Sequence, residues 1–295
     1  MFSHNCQSPN LQNIPSGSRD TYEKLGKMAR DCFVAPRGRT LVELDYSQIE
    51  LRVAAHIARD PVMIATFQSG MDFHLATAKM VAPLAWGVKD WDALPPELKK
   101  KYRTDSKVVN FGVHYGKTPH GLADELGITV ALAEKLLAAI LGEFKVLRAE
   151  MQRTLRQGHT DGGVMVEHQG HPVNWRPLPA LGEMGDDAKG RRINAENALW
   201  NTRVQGQAAH LTTASLWPLT LALEARPELE AFPVLTVHDS LMVECREEAA
   251  EEVARIARQV MTRYDLGGVP IVVDAAIGPA WGSLVELKEP EKQAA

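Results

Sequence analysis

Two aspartates in this chain lie where predicted strands end, and together they could hold a divalent cation. Residues 40–45 alternate between apolar and polar side chains, which predicts a half-buried strand ending at Asp45. Helical spacing begins at Ile49, so Asp45 lies at a strand-to-helix corner. Asp239 lies at the tip of a predicted hairpin between two apolar strands. A carboxylate on a rigid strand end is well placed to bind a metal ion, although Asp45 could instead simply cap the following helix.

A second set of residues could bind a phosphorylated ligand. Arg103, Lys107, Phe111 and Tyr115 lie four residues apart within a predicted helix over residues 97–115. Each step of four residues rotates by about 40°, so the four side chains share one broad face. Cations near the N-terminal end of a helix can hold a triphosphate, and aromatic rings further along can stack on a base. The alternative interpretation is a solvated basic helix with its aromatic side chains in the core.

A phosphate-binding loop is the competing motif in this region. Residues 112–118 read G-V-H-Y-G-K-T. Three residues separate the glycines where the phosphate loop requires four, and a helical pattern precedes them where a strand is required. We therefore reject a phosphate loop.

The elements that must position these residues follow from apolar periodicity and from proline and glycine positions. Asp60-Pro61 predicts a helix boundary followed by a second short helix. Further predictions are a Pro/Trp-rich connector over 82–96, helix over 119–160 with breaks at Gly127 and Gly142, a hairpin over 164–175, separate helices over 191–201 and 204–223, a helix over 247–264 and a strand over 269–277.

Composition places few limits on function. The chain has 295 residues, 45% of them apolar, and a formal net charge of −4, which argues against a purely electrostatic nucleic-acid binder but allows a local basic groove. Its three cysteines are far apart and predict a reduced, intracellular protein without a cysteine metal cluster. Without a bilayer-length apolar run or a secretory signal, we expect a cytoplasmic protein that has no membrane partner.

Five strings occur in the order typical of one enzyme family. D-Y-S-Q-I-E-L-R at residues 45–52 resembles, letter for letter, the first catalytic motif of family A DNA polymerases, the relatives of bacterial DNA polymerase I. The helix pattern R-x₃-K-x₃-F-x₃-Y-G resembles the second signature of the family, and V-H-D at 237–239 resembles the third. P-N-L-Q-N-I-P at 9–15 and V-Q-G at 204–206 are similar to two further family strings.

The resemblance implies an α+β fold. We expect a right-hand polymerase palm, a small antiparallel sheet backed by helices, with an inserted and mostly helical fingers subdomain. The palm would comprise residues 1–60 and 201–295, and the fingers residues 61–200. Neither a thumb nor an exonuclease domain is expected in this chain.

The resemblance also implies template-directed DNA synthesis, in which deoxynucleotides are added to a primer 3′ end. Asp45 and Asp239 would each bridge two Mg²⁺ ions, and the backbone carbonyl of Tyr46 would complete one of the two sites. The third motif usually ends in an acid, which is Ser240 here. This departure puts the rate or the metal preference in doubt, and Ser240 could hold an ordered water in place of the carboxylate.

Further site residues follow from the same resemblance. Glu50 would block a 2′ hydroxyl, and His74, in the string G-M-D-F-H, would touch the incoming triphosphate. The residues implied to bind the nucleotide are Gln48, Glu50, His74, Arg103, Lys107, Phe111 and Tyr115. Those implied to bind DNA are Asn10, Asn13, Asn201, Gln205 and His238. From the residues alone, His74 is more often a polar residue at a helix start than a ligand, and Asn10 and Asn13 could form an ordinary turn.

The partners implied are primer-template DNA, deoxynucleoside triphosphates and a separate thumb-bearing chain. The alternative function is a catalytically impaired DNA-binding subunit, or a relic of a split polymerase that needs a partner chain. A bacterial or phage-infected cell is the expected setting.

Overall fold

The computed structural model describes residues 14, 21–168, 171–178 and 188–287. The described residues form ten α-helices and seven strands. The helices are α1 Thr21–Asp31, α2 Ile49–Ala58, α3 Pro61–Gln68, α4 Phe73–Ala85, α5 Pro96–His114, α6 Pro119–Leu126, α7 Val130–Glu143, α8 Lys145–Asp161, α9 Ala188–Glu224 and α10 Ala250–Met261. The strands are β1 Arg39–Tyr46, β2 Gly163–His168, β3 His171–Pro177, β4 Phe232–Val237, β5 Ser240–Arg246, β6 Val273–Gly278 and β7 Val285–Glu286.

The backbone divides into two compact units. Unit 1 contains residues 1–49, 208–264 and 271–295, and unit 2 contains residues 50–207 and 265–270. The division of the chain into palm and fingers at residues 60 and 200 stays a prediction, because compactness alone does not define a functional subdomain.

Unit 1 is built on a five-stranded antiparallel sheet in the order β4-β5-β1-β6-β7. Val42, Leu44 and Tyr46 alternate along β1 and are at most 1% exposed, so they form the buried face of the strand. The Tyr46 hydroxyl donates to the Met261 carbonyl at 2.9 Å and lies 2.8 Å from Ser215 Oγ. The end of β1 is therefore attached to both α9 and α10.

The opposite face of this sheet is apolar at one end and acidic at the other. Leu41, Met242 and Trp281 are buried together at the start of β1. Towards the end of the strand, the residues on the same face are Glu43 and Asp45. The Trp281 indole N–H donates to Glu43 Oε1 at 3.3 Å, at the border between the apolar and acidic parts.

Strand β4 forms one edge of the sheet. Phe232 and Val234 on this strand are 48% and 44% exposed. The β4–β5 pairing shifts register between Pro233 and Leu235. In the part of the chain that the structure describes, no strand pairs with the outer side of β4, so the β4–β5 turn lies at the edge of the sheet, next to the end of β1.

Unit 2 is mostly helical and includes the β2–β3 hairpin. Phe67, Phe73 and Phe144 stack in series, with ring centroids 5.1 and 5.4 Å apart, and they join α3, α4 and the start of α8. Stacked aromatic rings bury large apolar areas and stabilise helix packing.

Asp60 connects two helix N-termini within unit 2 and is 1% exposed. Its Oδ1 accepts the backbone N–H groups of Val62 and Met63 at the start of α3. Its Oδ2 accepts those of Val146 and Leu147 at the start of α8, at 3.1 and 3.0 Å. One carboxylate thus satisfies four otherwise unpaired donors and complements two helix dipoles.

Four predicted elements differ from the structure. The separate helices over 191–201 and 204–223 are one continuous helix, α9, because Asn201, Thr202 and Arg203 are tolerated inside a helix and no Gly or Pro interrupts it there. Helix α4 continues through Pro83 to Ala85, so the connector begins later than predicted. Gly142 lies inside α7, and the break falls at Phe144.

The predicted strand over 269–277 begins only at Val273. Within the part of the chain that the structure describes, no helix is both long enough and apolar enough to cross a bilayer. The cytoplasmic location stays a prediction.

Candidate active site

The structure brings the two predicted catalytic aspartates of unit 1 together. Asp45 is the cross-strand partner of Ser240, the first residue of β5. The Tyr46 N–H donates to the Asp239 carbonyl at 3.3 Å, so the β4–β5 turn lies alongside the end of β1. The carboxyl groups of Asp45 and Asp239 are hydrogen-bonded to each other. Asp45 does not cap the following helix, which starts only at Ile49.

The protonation of this pair reflects its surroundings. Although the Asp45 side chain is exposed at the sheet surface, partial burial of its carboxyl group and then the neighbouring charge of Asp239 raise the pKa of Asp45 to about 8. Glu43 and Asp274, which share its face of the sheet, act in the same direction. Burial also raises the pKa of Asp239. In the metal-free protein the two carboxyl groups therefore share a proton near neutral pH.

A pair of this kind fits a divalent cation, because a cation can replace the shared proton and neutralise the mutual repulsion. Mg²⁺ is commonly held by one or two carboxylates together with substrate phosphates. Among the described residues, no group of three or more His, Cys, Asp or Glu is arranged to hold a metal. The donors available here are thus the two aspartates and nearby backbone oxygens.

Ser240 lies beside this pair and is 6% exposed. Its hydroxyl donates to the Val237 carbonyl at 3.0 Å, across the β4–β5 turn. The hydroxyl hydrogen therefore closes the turn, and only the oxygen lone pairs remain to hold a water. The water-binding role of Ser240 stays a hypothesis.

Two predicted ligand-binding residues of unit 1 have unusual backbone conformations. Gln48, between β1 and α2, has φ of 54°, and the exposed His238, in the β4–β5 turn, has φ of 52°. Residues other than glycine rarely adopt this left-handed region, and when they do they cluster at functional sites. Asn10 and Asn13 lie outside the described residues.

In unit 2, the predicted triphosphate-binding face of α5 is open to solvent. Arg103, Lys107 and Tyr115 are exposed, and Phe111 is half-buried. The Lys107 ammonium lies 5.9 Å from the Phe111 ring centroid, and the rings of Phe111 and Tyr115 are 6.0 Å apart. The aromatic side chains therefore continue the basic face and are not core residues.

Arg103 has a partner that sequence reasoning missed. Its Nε and Nη2 donate to the two carboxylate oxygens of Asp72 at 2.9 and 2.8 Å. Asp72 also caps α4 by accepting the Leu75 N–H at 2.7 Å. Although partial burial opposes it, the hydrogen bonds from Arg103 and Leu75 lower the pKa of Asp72. The Arg103 guanidinium is thereby fixed in a two-pronged contact with the N-terminus of α4.

His74 follows Asp72 and is only 3% exposed. Burial lowers the pKa of His74 to about 4, ahead of the opposing effect of Asp72 and the reinforcing effects of Arg103 and Lys107. The imidazole is therefore neutral at physiological pH. Its Nδ1 lies 3.0 Å from the side-chain nitrogen of Asn110 on α5.

Three further predicted site residues of unit 2 meet at the C-terminal end of α5. The Tyr115 hydroxyl donates to Glu50 Oε2 at 2.6 Å. Gln205 on α9 donates from Nε2 to the Tyr115 hydroxyl at 3.0 Å. Glu50, Tyr115 and Gln205 thus form one hydrogen-bonded chain, although they are widely separated in sequence. Asn201 lies one turn before Gln205 on α9 and is half-buried.

Comparison with known proteins identifies the family. The model of DNA polymerase family A matches residues 4–283. The chain belongs to DNA polymerase family A. Thermostable DNA polymerase I of Thermus aquaticus is 37% identical over 278 residues, which are 94% of this chain and 30% of that protein. DNA polymerase I of Chloroflexus aurantiacus is 36% identical over 281 residues, 95% of this chain and 27% of that protein.

A solved structure agrees with this family A assignment. The POL domain of Pol1 from M. smegmatis, in complex with DNA primer-template and dNTP, matches with a TM-score of 0.76 and 31% identity. The match covers 93% of this chain and 45% of that one. This family A chain spans less than a third of the length of the curated relatives described above. The predicted family and the predicted α+β polymerase fold are both confirmed.

Sequence reasoning did not predict the contacts that Asp72 and Asn110 make with candidate site residues. Asp72 lay within the quoted string G-M-D-F-H, and its position before an apolar run is typical of a helix N-cap, but neither signal indicates its contact with Arg103. Asn110 lay within the recognised helix pattern, but its contact with His74 depends on how α4 packs against α5.

Proposed function

We propose that this chain catalyses template-directed DNA synthesis by adding deoxynucleotides to the 3′ end of a primer. The observation that carries the proposal is the hydrogen-bonded pair Asp45 and Asp239 at the end of β1. Family membership supports it, and so does the fold shared with a polymerase domain solved with primer-template and dNTP. In this proposal unit 1 acts as the palm and unit 2 as the fingers.

The carboxylate pair would hold two Mg²⁺ ions, with the Tyr46 carbonyl as a further ligand. The bound ions would favour ionisation of the primer 3′ hydroxyl and neutralise charge on the leaving oxygen. The attack forms a bond from that hydroxyl to the α-phosphate and releases pyrophosphate. Asp45 and Asp239 serve this chemistry as ligands held in place by β1 and the β4–β5 turn.

The basic face of α5 would bind the triphosphate. Phosphoryl transfer is catalysed mainly by positioning and charge neutralisation. Arg103 and Lys107 would supply positive charge, and neutral His74 would supply a hydrogen bond. Because Asp72 fixes the Arg103 guanidinium at one end, less side-chain entropy is lost when a phosphate oxygen binds its remaining N–H donors.

The three hydrogen-bonded side chains of Glu50, Tyr115 and Gln205 would contact the nucleotide sugar and the primer end. Glu50 would exclude a 2′ hydroxyl, and Phe111 would contact the sugar and base. Further contacts with nucleotide or DNA would come from Gln48, Asn10, Asn13, Asn201 and His238. Gln205 would test base-pair geometry from the minor groove, whose acceptors are shared by all base pairs.

Primer extension tests this proposal. The chain alone, at low salt with Mg²⁺, is expected to extend a labelled primer on a template in a reaction that needs all four deoxynucleotides. Asp239→Asn, which removes one ligand charge and keeps the shape, serves as the inactive control. Mg²⁺-dependent extension equal in this variant and the wild type would contradict the proposed role of the pair.

The second candidate is a catalytically impaired DNA-binding subunit of a split polymerase that needs a thumb-bearing partner chain. Ser240, in place of the usual acid, is the observation that favours it. Two measurements separate the candidates. DNA binding without extension, and extension only after a polymerase thumb fragment is added, would support the subunit. Extension by the chain alone would support the autonomous enzyme.

Replacing Glu50 with alanine is expected to admit ribonucleotides. Removal of the carboxylate opens space beside the sugar and releases Tyr115. The ratio of kcat/KM for a ribonucleotide to that for its deoxynucleotide should rise about 10- to 100-fold, the range typical of a local steric change in a pocket. Glu50→Gln keeps the bulk without the charge and should retain most discrimination. Unchanged sugar selectivity in Glu50→Ala would contradict the steric role.

Replacing Ser240 with glutamate is expected to make stability more dependent on Mg²⁺. A third acid at this buried position raises repulsion around Asp45 and Asp239, so the metal-free protein should melt several degrees lower. Saturating Mg²⁺ should restore the loss. Ser240→Gln adds similar bulk without charge, and Mg²⁺ should raise its melting temperature no more than it raises that of the wild type. Identical Mg²⁺-induced shifts in the melting temperatures of the two variants would contradict this prediction.

A further inference from the structure

Three buried polar side chains connect α4 to α5 within unit 2. His74, Thr77 and Asn110 are 3%, 0% and 2% exposed. Asn110 Nδ2 lies 3.0 Å from His74 Nδ1, and Thr77 Oγ1 lies 3.1 Å from Asn110 Oδ1. Buried polar groups are almost always paired, and a fully paired network fixes the orientation of its members.

The direction of these hydrogen bonds determines which nitrogen of His74 carries the proton. An amide nitrogen can only donate, so His74 Nδ1 accepts from Asn110 Nδ2. In a neutral imidazole the proton must then lie on Nε2. In this arrangement the Thr77 hydroxyl donates to Asn110 Oδ1 and so holds the amide in place.

One other arrangement also satisfies the three side chains. Thr77 Oγ1 lies 3.0 Å from the Phe73 carbonyl, to which its hydroxyl can donate instead. With the Asn110 amide reversed, its nitrogen would donate to Thr77 and its oxygen would accept from a protonated His74 Nδ1. That arrangement leaves Nε2 as an acceptor, which repels a phosphate oxygen. The two arrangements thus differ in whether His74 can bind an anion.

We propose that Asn110, oriented by Thr77, is a positioning residue that holds His74 as its neutral Nε2–H tautomer. The ring then offers a hydrogen-bond donor to the triphosphate of the incoming nucleotide. This inference rests on the proposed function, which makes a triphosphate the ligand of His74. Asn110 and Thr77 act only through His74.

The charges around His74 are consistent with a neutral donor. Burial lowers its pKa to about 4, and the charged groups that act on it are Asp72 at the start of its own helix and Arg103 and Lys107 on α5. His114 on α5 is a further titratable neighbour, and its own pKa is lowered by burial and then by His74. A neutral Nε2–H donor contributes the same hydrogen bond across roughly pH 6–9. An ordinary histidine cation would lose its charge within that range. The contact proposed here is therefore independent of pH in the working range of the site.

Nitrogen-15 NMR of the full chain tests the tautomer directly and needs no altered protein. The chain has ten histidines, and the His74 signal is identified as the one that disappears in His74→Gln. We expect Nε2 to show the shift of a protonated nitrogen and Nδ1 that of an unprotonated one from pH 6 to 8.5. The opposite pattern, with the proton on Nδ1, would overturn the inference.

Asn110→Asp tests the positioning role by reversing the hydrogen bond. A carboxylate can only accept, so it places a proton on His74 Nδ1 and raises the pKa of His74. The variant is expected to show a KM for dCTP that rises about 10-fold between pH 6 and 8.5, with a smaller change in kcat. The wild type and Thr77→Ser, which retains the hydroxyl, are expected to show a KM without this dependence. A flat KM in Asn110→Asp would overturn the inference.

The two measurements separate this inference from the proposed function. An Nε2–H spectrum in a chain that fails to extend primers would count against the proposed function and leave the positioning of His74 standing. An Nδ1–H spectrum in an active chain would count against the inference alone.

Discussion

Replacing Asp45 with asparagine is expected to abolish primer extension and also to raise the thermal stability of the metal-free protein. The amide cannot replace a carboxylate as a metal ligand, so the rate should fall by about 10³-fold or more, comparable to the loss of other groups that stabilise transition-state charge. The same change removes one of two acids that repel each other across the β1 end and the β4–β5 turn. A catalytic residue whose loss stabilises the fold is typical of a strained functional site.

The gain in stability should depend on pH in a defined direction. In the folded protein the pKa of Asp45 is raised to about 8, whereas in the unfolded chain it is near ~4. Between these values the unfolded chain releases the proton first, so ionisation destabilises the fold as pH rises. The melting temperature of Asp45→Asn relative to wild type should therefore increase from about pH 4 to pH 8 and then level off.

Thermal melts in EDTA at pH 5 and pH 8.5 measure this difference. Added Mg²⁺ should raise the melting temperature of the wild type at pH 8.5 and leave Asp45→Asn nearly unchanged, because the variant lacks one ligand. Glu43→Gln, on the same face but outside the pair, is the control and should retain the response to Mg²⁺. A lower melting temperature for Asp45→Asn than for wild type at pH 8.5 would contradict the repulsion that we infer.

Replacing Asp60 with alanine is expected to cause the largest loss of stability of any single change considered. The substitution leaves four backbone N–H groups at two helix N-termini without their acceptor. A helix cap contributes about 1 kcal/mol, and each buried unsatisfied donor costs about 1–3 kcal/mol, so a loss of about 3–5 kcal/mol is expected after local rearrangement. For a chain of this size the melting temperature should fall by about 10 °C.

Two comparisons make the Asp60 test specific. Asp60→Asn keeps one acceptor oxygen but turns an N–H₂ group towards two N–H donors. The stability lost in Asp60→Asn should therefore approach that lost in Asp60→Ala. Asp90→Ala removes an exposed carboxylate that accepts two N–H groups in the α4–α5 connector, and it should cost less than about 1 kcal/mol. Equal melting temperatures for Asp60→Ala and Asp90→Ala would contradict the double-cap interpretation.

Local periodicity was sufficient to predict the elements that carry most of the candidate site. Alternation over residues 40–45 predicted β1, and the spacing from Arg103 to Tyr115 predicted one exposed helical face. Both patterns depend only on how side chains alternate along a strand or rotate around a helix. The polymerase fold was predicted from the order of the motifs, and the roles of the individual site residues stay predictions.

Contacts between distant residues could not be predicted in the same way. The sequence marks Asp60 as a helix boundary, but its bonds to Val146 and Leu147 cross more than eighty residues and depend on how α8 packs. The same is true of the contact between Asp72 and Arg103. The uninterrupted α9 was missed because Asn201, Thr202 and Arg203 neither strongly favour nor break a helix, so local propensity does not decide between one helix and two.

The open edge of β4 has a consequence for how the protein behaves at high concentration. Among the described residues β4 pairs only with β5, and an edge strand with exposed Phe232 and Val234 would ordinarily recruit a strand from a neighbouring molecule. Pro233 lacks an N–H to donate, and the pairing is irregular beside it, so both features oppose a continuous intermolecular ladder. The turn that carries Asp239 can therefore stay accessible at the rim of the sheet without making that rim a starting point for fibrils.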